Sequence, residues 1–529
     1  MKFPTLQFVC ALGLATVVQA ADFPQWRGPT RNGLAVAETP LAASWPQEGP
    51  ARLWLYKAPS YHDGGLGSVV VAEGRAFAYI SWRDEVATAT RTLTERELRG
   101  LGWFPETLPA DLMKTVDQAR TSPERAALQG GGPELDKWIN EFLVKNLATD
   151  AQKQELSGAI RDRLRRGADA PPVEAIAVMT SLKDKVFPNQ DALDAVLDQS
   201  MLSPELKKRI NEVVPKVIKK PVQDTLVCLD ATSGAELWKT AFPGKYQDYG
   251  ASCTPCVADG RVYFNGSDGH VYCLSAADGA LVWKAELGKS VSHCSVLVTD
   301  GLAIFSNKTL FAFKAATGEP VWKQPEIKTD ACSPVLWQSA PPPTSYLLCN
   351  TNKLAYCVEL KTGHIAWSTP GGEVSTVAVQ DDIMVVQTLK DVTAYKISPE
   401  KAEKLWTIEI ADRGASPIVA KGYVYAVGNG TALAVKVDDG KVVWREKIIA
   451  SNFSSPLLVG DQWLLAVSDH SLTLASVTPE KLVELGKVTL NVAPCSSPCV
   501  ANGKLYLRLS TGIACFDLIN PVPATQGAK

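Results

Sequence analysis

The chain has 529 residues, 46% of them hydrophobic and 21% charged, with 54 Lys+Arg against 56 Asp+Glu and a net charge of −2. This is the composition of a globular protein longer than one typical domain. The balanced charge excludes the basic field on which nucleic-acid binding depends.

In chain order, Met1–Ala20 reads as a secretory signal. Lys2 gives the positive start, Phe8–Val18 an apolar core too short to span a bilayer, and Val18-Gln19-Ala20 a small-residue cleavage pattern. Cys10 follows Val9 within the apolar core, not a small residue at its end, which argues against lipoprotein processing. No later segment has the length and hydropathy of a membrane span, so a periplasmic or secreted protein is expected. The mature start, DFPQWRGPTRNGLAVAETPLAASWP, is rich in Pro and Gly and is expected to wrap over the body as extended chain and turns.

From about Val86 to Gln223 apolar residues recur three and four apart. The spacing predicts helices over Leu108–Arg120, Pro133–Leu147, Asp150–Arg166, Pro172–Val186, Gln190–Met201 and Pro204–Ile218. Ser122-Pro123-Glu124 and Ser203-Pro204-Glu205 are start signals, each a capping residue, a proline and an acid.

Beyond Thr225 a unit recurs. Its clearest copy, YFNGSDGHVYCLSAADGALVW over Tyr263–Trp283, reads as strand, turn, strand, turn and strand. The same ending brings tryptophan at 238, 283, 322, 367, 406 and 444, a period near forty that suits a propeller blade. Each unit opens alike, as in CTPCVADGRVYF, ASPIVAKGYVYAV and SSPCVANGKLYL, giving an inner strand, a hairpin pair and an outer Trp strand. RLWLYK at Arg52–Lys57 looks like an outer strand without its three partners, and Ser497–Leu518 like three strands without an outer one. The two complete each other, closing a ring and removing open edges. Gly67–Trp82 begins blade one and Thr225–Trp238 resumes it. A degenerate unit puts Gly486 where tryptophan belongs.

The expected fold is therefore all-β: an eight-bladed β-propeller closed by the N-terminal strand, with an α-helical insertion in blade one and seven blades as the alternative. Expected boundaries are 1–20 signal, 21–85 wrap, closing strand and start of blade one, 86–223 insertion, 224–520 remaining propeller and 521–529 disordered tail.

The motif A-x-D-x-x-T-G-x-x-x-W, present as CLDATSGAELW and AFKAATGEPVW, together with the SSP-type inner strands, resembles the pyrroloquinoline-quinone repeat propellers. That family includes quinoprotein alcohol dehydrogenases and non-enzymatic exported propellers such as the lipoprotein of outer-membrane protein assembly. The opening PQWRGPTRNGLA and SWPQEGP resemble the start of exported proteins of the quinone-binding-like class. The resemblance implies that Trp54, Trp238, Trp283, Trp322, Trp367, Trp406 and Trp444 dock neighbouring blades, stacking on peptide planes with the indole N–H on a backbone acceptor. For the dehydrogenases it implies a quinone on a Trp floor, calcium, an Asp base and an adjacent-cysteine disulfide. This chain has no adjacent cysteines, and Cys253-Thr254-Pro255-Cys256 is followed by Val257, not the His of a haem site. No calcium ligand or base falls on a matching motif.

Eleven cysteines follow the signal, an odd number, so at least one is unpaired within the chain or bonds to another molecule. Cys228, Cys273, Cys357 and Cys515 share a register with Ala312, Ala394 and Ala434, which reads as a small buried position. Cys253, Cys294 and Cys332 share another with Gly67, Ser375, Ala415, Ser454 and Ser496, where packing is the expectation and a metal or redox site the alternative. Cys349 and Cys357 flank a turn, with pairing left open.

A ring topology brings the loops leading into the inner strands to one mouth of the channel. The candidate ligand-binding residues there are His62, Asp63, Asp248, Tyr249, His293, Asp330, Glu373, Arg413 and Asn452; a solvated polar rim is the plain alternative. His270, His364 and His470 sit in or near turns and are expected to be exposed. No catalytic residue and no cofactor is predicted. The expected function is an exported, non-catalytic, monomeric binding or scaffolding module for a protein partner or small polar ligand, without nucleic acid. The alternative is a divergent alcohol or sugar dehydrogenase using pyrroloquinoline quinone with calcium. A hydrolase or lyase built on His62 and His293 is the third class.

Overall fold

The computed structural model describes residues 22–36, 40–60, 64–128, 132–245, 252–288, 292–329, 331–372, 374–410, 414–448, 454–460, 462–468 and 470–520. They fall into two compact units, one joining the chain up to Asp84 with the chain from Pro221 onward, the other Glu85–Lys220.

The larger unit is all-β. It holds eight sheets with the same antiparallel four-strand pattern, one of them with an additional fifth strand. The second sheet shows how sequence produces the pattern. Cys256–Ala258, Arg261–Asn265 and His270–Ser275 are nearly continuous apolar runs because neighbouring sheets cover both their faces, whereas Leu281–Glu286 is an edge strand with only Trp283 buried. Two-residue turns join inner strand to hairpin. Asp259-Gly260, Asp300-Gly301, Lys421-Gly422 and Asn502-Gly503 all have both residues at positive φ, the geometry that follows the right-handed twist of the strands.

Each of the eight outer strands slips register just before its tryptophan position. Such a bulge re-aims the side chain that follows. The residue opposite is small wherever the tryptophan is present: Cys228 faces Trp238, Cys273 faces Trp283, Ala312 faces Trp322 and Cys515 faces Trp54. In the degenerate sheet the volumes are reversed, and Gly486 faces Leu474.

Sequence order and sheet order differ at two places. Arg52–Lys57 pairs with Gly512–Asp517, so the last sheet takes its outer strand from near the start of the chain. Leu34–Ala35 adds a parallel strand beside Leu457–Val459. The opening segment does not lie outside the body as a wrap. Phe23 bridges Val71, the Val257 N–H donates to the Pro24 carbonyl, the Val379 N–H to Asn32 Oδ1, and the Leu458 N–H to the Gly33 carbonyl. Residues 22–35 thus cross from one inner strand to another and fill the middle of the unit.

The smaller unit is mainly helical, with helices at Glu95–Gly100, Ala110–Arg120, Pro123–Ala127, Pro133–Asn146, Asp150–Arg166, Val173–Leu182, Gln190–Gln199 and Pro204–Val213. Ser122 and Ser203 cap their helices as their motifs imply, accepting from the Arg125 and Leu206 N–H groups at 3.1 and 3.2 Å. Two expected helices overrun. The last stops at Val213, before Pro215, and Val217–Lys219 is a strand paired with Glu85–Ala87. The helix expected to reach Val186 stops at Leu182, and Val186–Phe187 pairs with Arg91–Thr92. In both tails β-branched residues favour the extended chain that a strand partner rewards.

Candidate functional site

The centre of the β unit is built on one hydroxyl per sheet. Just before each inner strand stands a Ser or Thr whose oxygen accepts the corresponding backbone N–H of the preceding sheet. The chain of donors runs Ser68 to Thr254 (3.0 Å), Thr254 to Ser295 (3.2 Å), Ser295 to Ser333 (2.9 Å) and Ser333 to Thr376 (3.0 Å). It continues from Thr376 to Ser416 (3.0 Å), Ser416 to Ser455 (3.1 Å), Ser455 to Ser497 (3.1 Å) and back from Ser497 to Ser68 (2.9 Å). The cycle closes on itself, and all eight residues are buried. Short side chains are required because a larger one would push adjacent strands apart. The sequence reading used the neighbouring Ser-Pro pairs to find inner strands but missed this hydroxyl register, which the aligned units display.

A second series runs around the periphery, open only between the degenerate sheet and the last one. The Trp238 indole N–H donates to the Ala276 carbonyl (3.1 Å), Trp283 to Ala315 (2.9 Å), Trp322 to Leu360 (2.9 Å) and Trp367 to Ser398 (2.8 Å). Trp406 donates to Val437 (2.8 Å), Trp444 to Thr478 (3.0 Å) and Trp54 to Ala231 (3.2 Å), each in the next sheet. The rings of Trp54, Trp238, Trp283, Trp322 and Trp406 lie on the turn glycine of that sheet. A Cβ added to Gly318 would sit 2.6 Å from Trp283 Cδ2 at a φ of +74°, so only glycine fits there.

Among the mouth candidates, His293 alone lies in the described residues. It is half-buried beside Ser292, whose hydroxyl donates to the Ser306 carbonyl. His62, Asp63, Asp248, Tyr249, Asp330, Glu373, Arg413 and Asn452 lie outside the described residues. His364 and His470 are exposed, whereas His270 is half-buried and its Nδ1 lies 2.8 Å from Asp268 Oδ2.

Cys228, Cys253, Cys256, Cys273, Cys349, Cys357, Cys499 and Cys515 are free thiols. Cys349 and Cys357 stay unpaired, facing Tyr356 and Leu348 across the hairpin. Burial pushes the thiols of Cys228, Cys253 and Cys515 up to about 12. They are protonated at neutral pH, which suits packing. Among the described residues no group of three or more His, Cys, Asp or Glu is placed to hold a metal ion, and no helix is long and apolar enough to cross a membrane.

A buried acid joins the first two sheets. Asp224 Oδ1 accepts from the Tyr79 hydroxyl (2.7 Å) and the Ser267 hydroxyl (2.8 Å), and Oδ2 from the Ser267 N–H (2.7 Å). Burial lifts this carboxyl from 3.8 to about 6, although its three hydrogen bonds pull the other way.

The segment crossing the channel carries two arginines that the sequence reading left unassigned. Arg27 and Arg31 are each 1% exposed. Arg27 Nη2 donates to the Pro417 carbonyl, and Arg31 Nη1 to the Ser295 (3.1 Å) and Pro334 (3.0 Å) carbonyls. Both residues hold positive φ, 63° and 60°, an uncommon backbone for a side chain of this size. The available signal was W-R-G-P-T-R-N-G, two cations each shortly before a turn glycine in a stretch otherwise poor in charge.

The aligned repeats and the closed hydroxyl cycle can be set beside known proteins. The sequence model for the family described as outer membrane protein assembly factor BamB matches residues 217–313 and 306–520. The BamB of Yersinia pestis is 23% identical over 309 residues, 54% of this chain and 77% of that protein. A shorter stretch of 87 residues is 33% identical to the quinohemoprotein alcohol dehydrogenase ADH-IIG of Pseudomonas putida, covering 14% of this chain and 12% of the enzyme. Among solved structures, BamB from Moraxella catarrhalis is similar at 14% identity and a TM-score of 0.44, over 56% of this chain and 90% of that one. Because the family model spans more than half of its length, this chain belongs to the outer membrane protein assembly factor BamB family of quinoprotein-like repeat propellers.

Proposed function

We propose that this chain is an exported, non-catalytic scaffold that binds a protein partner in the assembly of outer-membrane proteins. We read its β unit as an eight-bladed propeller closed by the N-terminal strand, and residues 85–220 as a helical insertion in the first blade. The observation that carries the scaffold reading is the internal use of the repeat's polar groups. Every inner hydroxyl of the cycle and all seven repeat indoles are consumed in joining one sheet to the next, as rigidity requires and catalysis does not. The family match and the names of the relatives support the same reading. The loops leading into the inner strands, with His62, Asp63, Asp248, Tyr249, His293, Asp330, Glu373, Arg413 and Asn452, are the proposed contact surface.

The 87-residue likeness to a dehydrogenase favours a second reading. The channel is a poor fit to its calcium. Two buried guanidiniums occupy the centre of the ring, and uncompensated positive charge in a low-dielectric interior repels a divalent cation.

The experiment is deletion of the gene in its own host, with quantification of folded outer-membrane proteins. A fall restored by the wild-type chain, but not by one carrying Asp248→Ala and Tyr249→Ala, is expected. Unchanged outer-membrane proteins, together with dye reduction by the purified chain given pyrroloquinoline quinone, calcium and an alcohol, would overturn the proposal.

A further inference from the structure

Arg27 and Arg31 pose a charge problem that the scaffold does not explain. Each guanidinium has five N–H donors and keeps its charge at neutral pH. The carbonyls of Pro417, Ser295 and Pro334, together with Gln25 Oε1 at 2.7 Å from Arg31 Nε, take some of them. Arg27 Nε, Arg27 Nη1 and Arg31 Nη2 are buried with no hydrogen-bond partner. Among the described residues no carboxylate lies within ion-pair distance of either group. Burial lowers the Arg27 guanidinium to about 9 and Arg31 to about 10, and both remain cationic at pH 7.

The two side chains also work at one level of the channel. Ser295, Pro334 and Pro417 occupy equivalent or adjacent positions at the start of the inner strands of the third, fourth and sixth sheets, and the arginines reach them from a single segment. Glycines make that placement possible. A side chain at Gly33, where φ is +74°, would put its Cβ 3.0 Å from Arg27 Nη2 and 2.9 Å from Ile418. Arg31 further lines a cavity of about 410 Å³, with Gln25 and Asn32 of the same segment and Thr299, Gln338 and Asp381 from the sheets, which gives a small solute a path toward it. Asp381 is an exposed residue and forms no ion pair with Arg31.

We propose that the cavity beside Arg31 is an anion site, in which the free N–H groups of Arg31 Nη2 hold a small oxyanion: phosphate, sulfate or the carboxylate of a small molecule. Nη2 is the donor left over, because Gln25 Oε1 takes Nε and the Ser295 and Pro334 carbonyls take Nη1. The bound anion supplies the charge that the protein does not. By fixing Arg31 it also holds the crossing segment against the third and fourth sheets, so binding and order of the segment are coupled. This site is distinct from the proposed partner surface and stands or falls separately from it.

The test uses the full mature chain in chloride buffer at constant ionic strength, titrated with inorganic phosphate, sulfate and acetate, by calorimetry and thermal unfolding. Saturable binding of at least one of the three is expected, with a rise in Tm of several degrees. Phosphate or sulfate without acetate assigns an inorganic oxyanion, and acetate binding assigns a carboxylate; either supports the proposal. Arg31→Gln is expected to weaken binding at least tenfold, and Arg27→Gln, which lies outside the cavity, by less. Arg31→Lys, which keeps the charge and loses the fork, guards against a folding defect and is expected to bind more weakly than wild type while unfolding cooperatively. Native mass spectrometry of the untreated chain gives an independent readout, an anion adduct absent from Arg31→Gln. Failure of all three anions to bind saturably, with no adduct, overturns the proposal, as does equal binding by wild type and Arg31→Gln.

Discussion

At the residue scale, Asp224 is the group whose chemistry is most altered by the fold. Its carboxyl titrates near 6 against 3.8 in an ordinary setting because burial penalises the charged form. The folded state therefore holds its proton more tightly than the unfolded chain. The contribution of this group to stability is full below pH 3.8 and is lost as pH rises through 6. Wild type should thus gain stability relative to Asp224→Asn on acidification from pH 7 to 4, by ~3 kcal/mol at most, since one pK unit is about 1.4 kcal/mol. Urea unfolding of both proteins across that range checks it; a pH-independent difference between them would show that Asp224 is not shifted. Nothing in the sequence marked this acid, because its partners Tyr79 and Ser267 lie far from it along the chain and are brought near only by sheet pairing.

At the scale of the element, the degenerate sheet shows how one unit survives without its docking residue. Gly486 keeps the bulge of the other outer strands, and the missing ring is supplied from elsewhere. Trp45, 8% exposed, lies with its Cβ and Cε3 3.2 and 3.3 Å from where a Cβ on Gly486 would stand. The same stretch is anchored by the Ala42 N–H, which donates to the Leu518 carbonyl at 2.8 Å. The register of the repeat identified Gly486 as the gap, but no local signal linked it to a tryptophan 441 residues earlier. Trp45→Gly is expected to cost about 3–5 kcal/mol, the usual range for deleting a large buried aromatic. Gly486→Trp alone should also destabilise, by forcing a second ring into filled space. Combined, the two should recover at least 1 kcal/mol relative to the sum of the single effects, as a double-mutant cycle in denaturant measures. Strict additivity would mean that the two positions do not share one site.

For the whole molecule, the closed hydroxyl cycle separates what the ring needs from what it carries. The strands Arg75–Trp82 and Gln223–Asp230 pair along their full length, Trp82 opposite Gln223, so the sheet is complete without the chain between them. Replacing residues 85–220 by a short Gly-containing turn should preserve the far-UV strand signal and a single cooperative transition of the β unit. The excised 85–220 fragment should stay helical, since it has its own core of Val116, Ile139 and Ile160 and of Met179, Leu193 and Ile210. Circular dichroism and thermal unfolding of the two pieces decide the matter. Loss of the strand signal in the shortened chain would mean that the helices are needed to build the ring.

By itself the sequence determined most of what repeats, although the inner hydroxyl register went unread. Period, strand order, Asp-Gly turns, the small residue facing each tryptophan and the strand at Arg52–Lys57 that pairs with the last sheet were all legible, because one physical requirement was written several times in the same register. The ends of the helices were less so, since Val217–Lys219 takes its conformation from a strand partner 130 residues away and not from its own periodicity. Only the tertiary structure decided what occurs once. The path of residues 22–35 through the channel, the burial of Arg27 and Arg31 without a counter-charge, the raised Asp224 and the loan of Trp45 to Gly486 all depend on where distant backbone is carried. A single side chain has no period, and its energy is set by neighbours that the chain brings near only when the ring has closed.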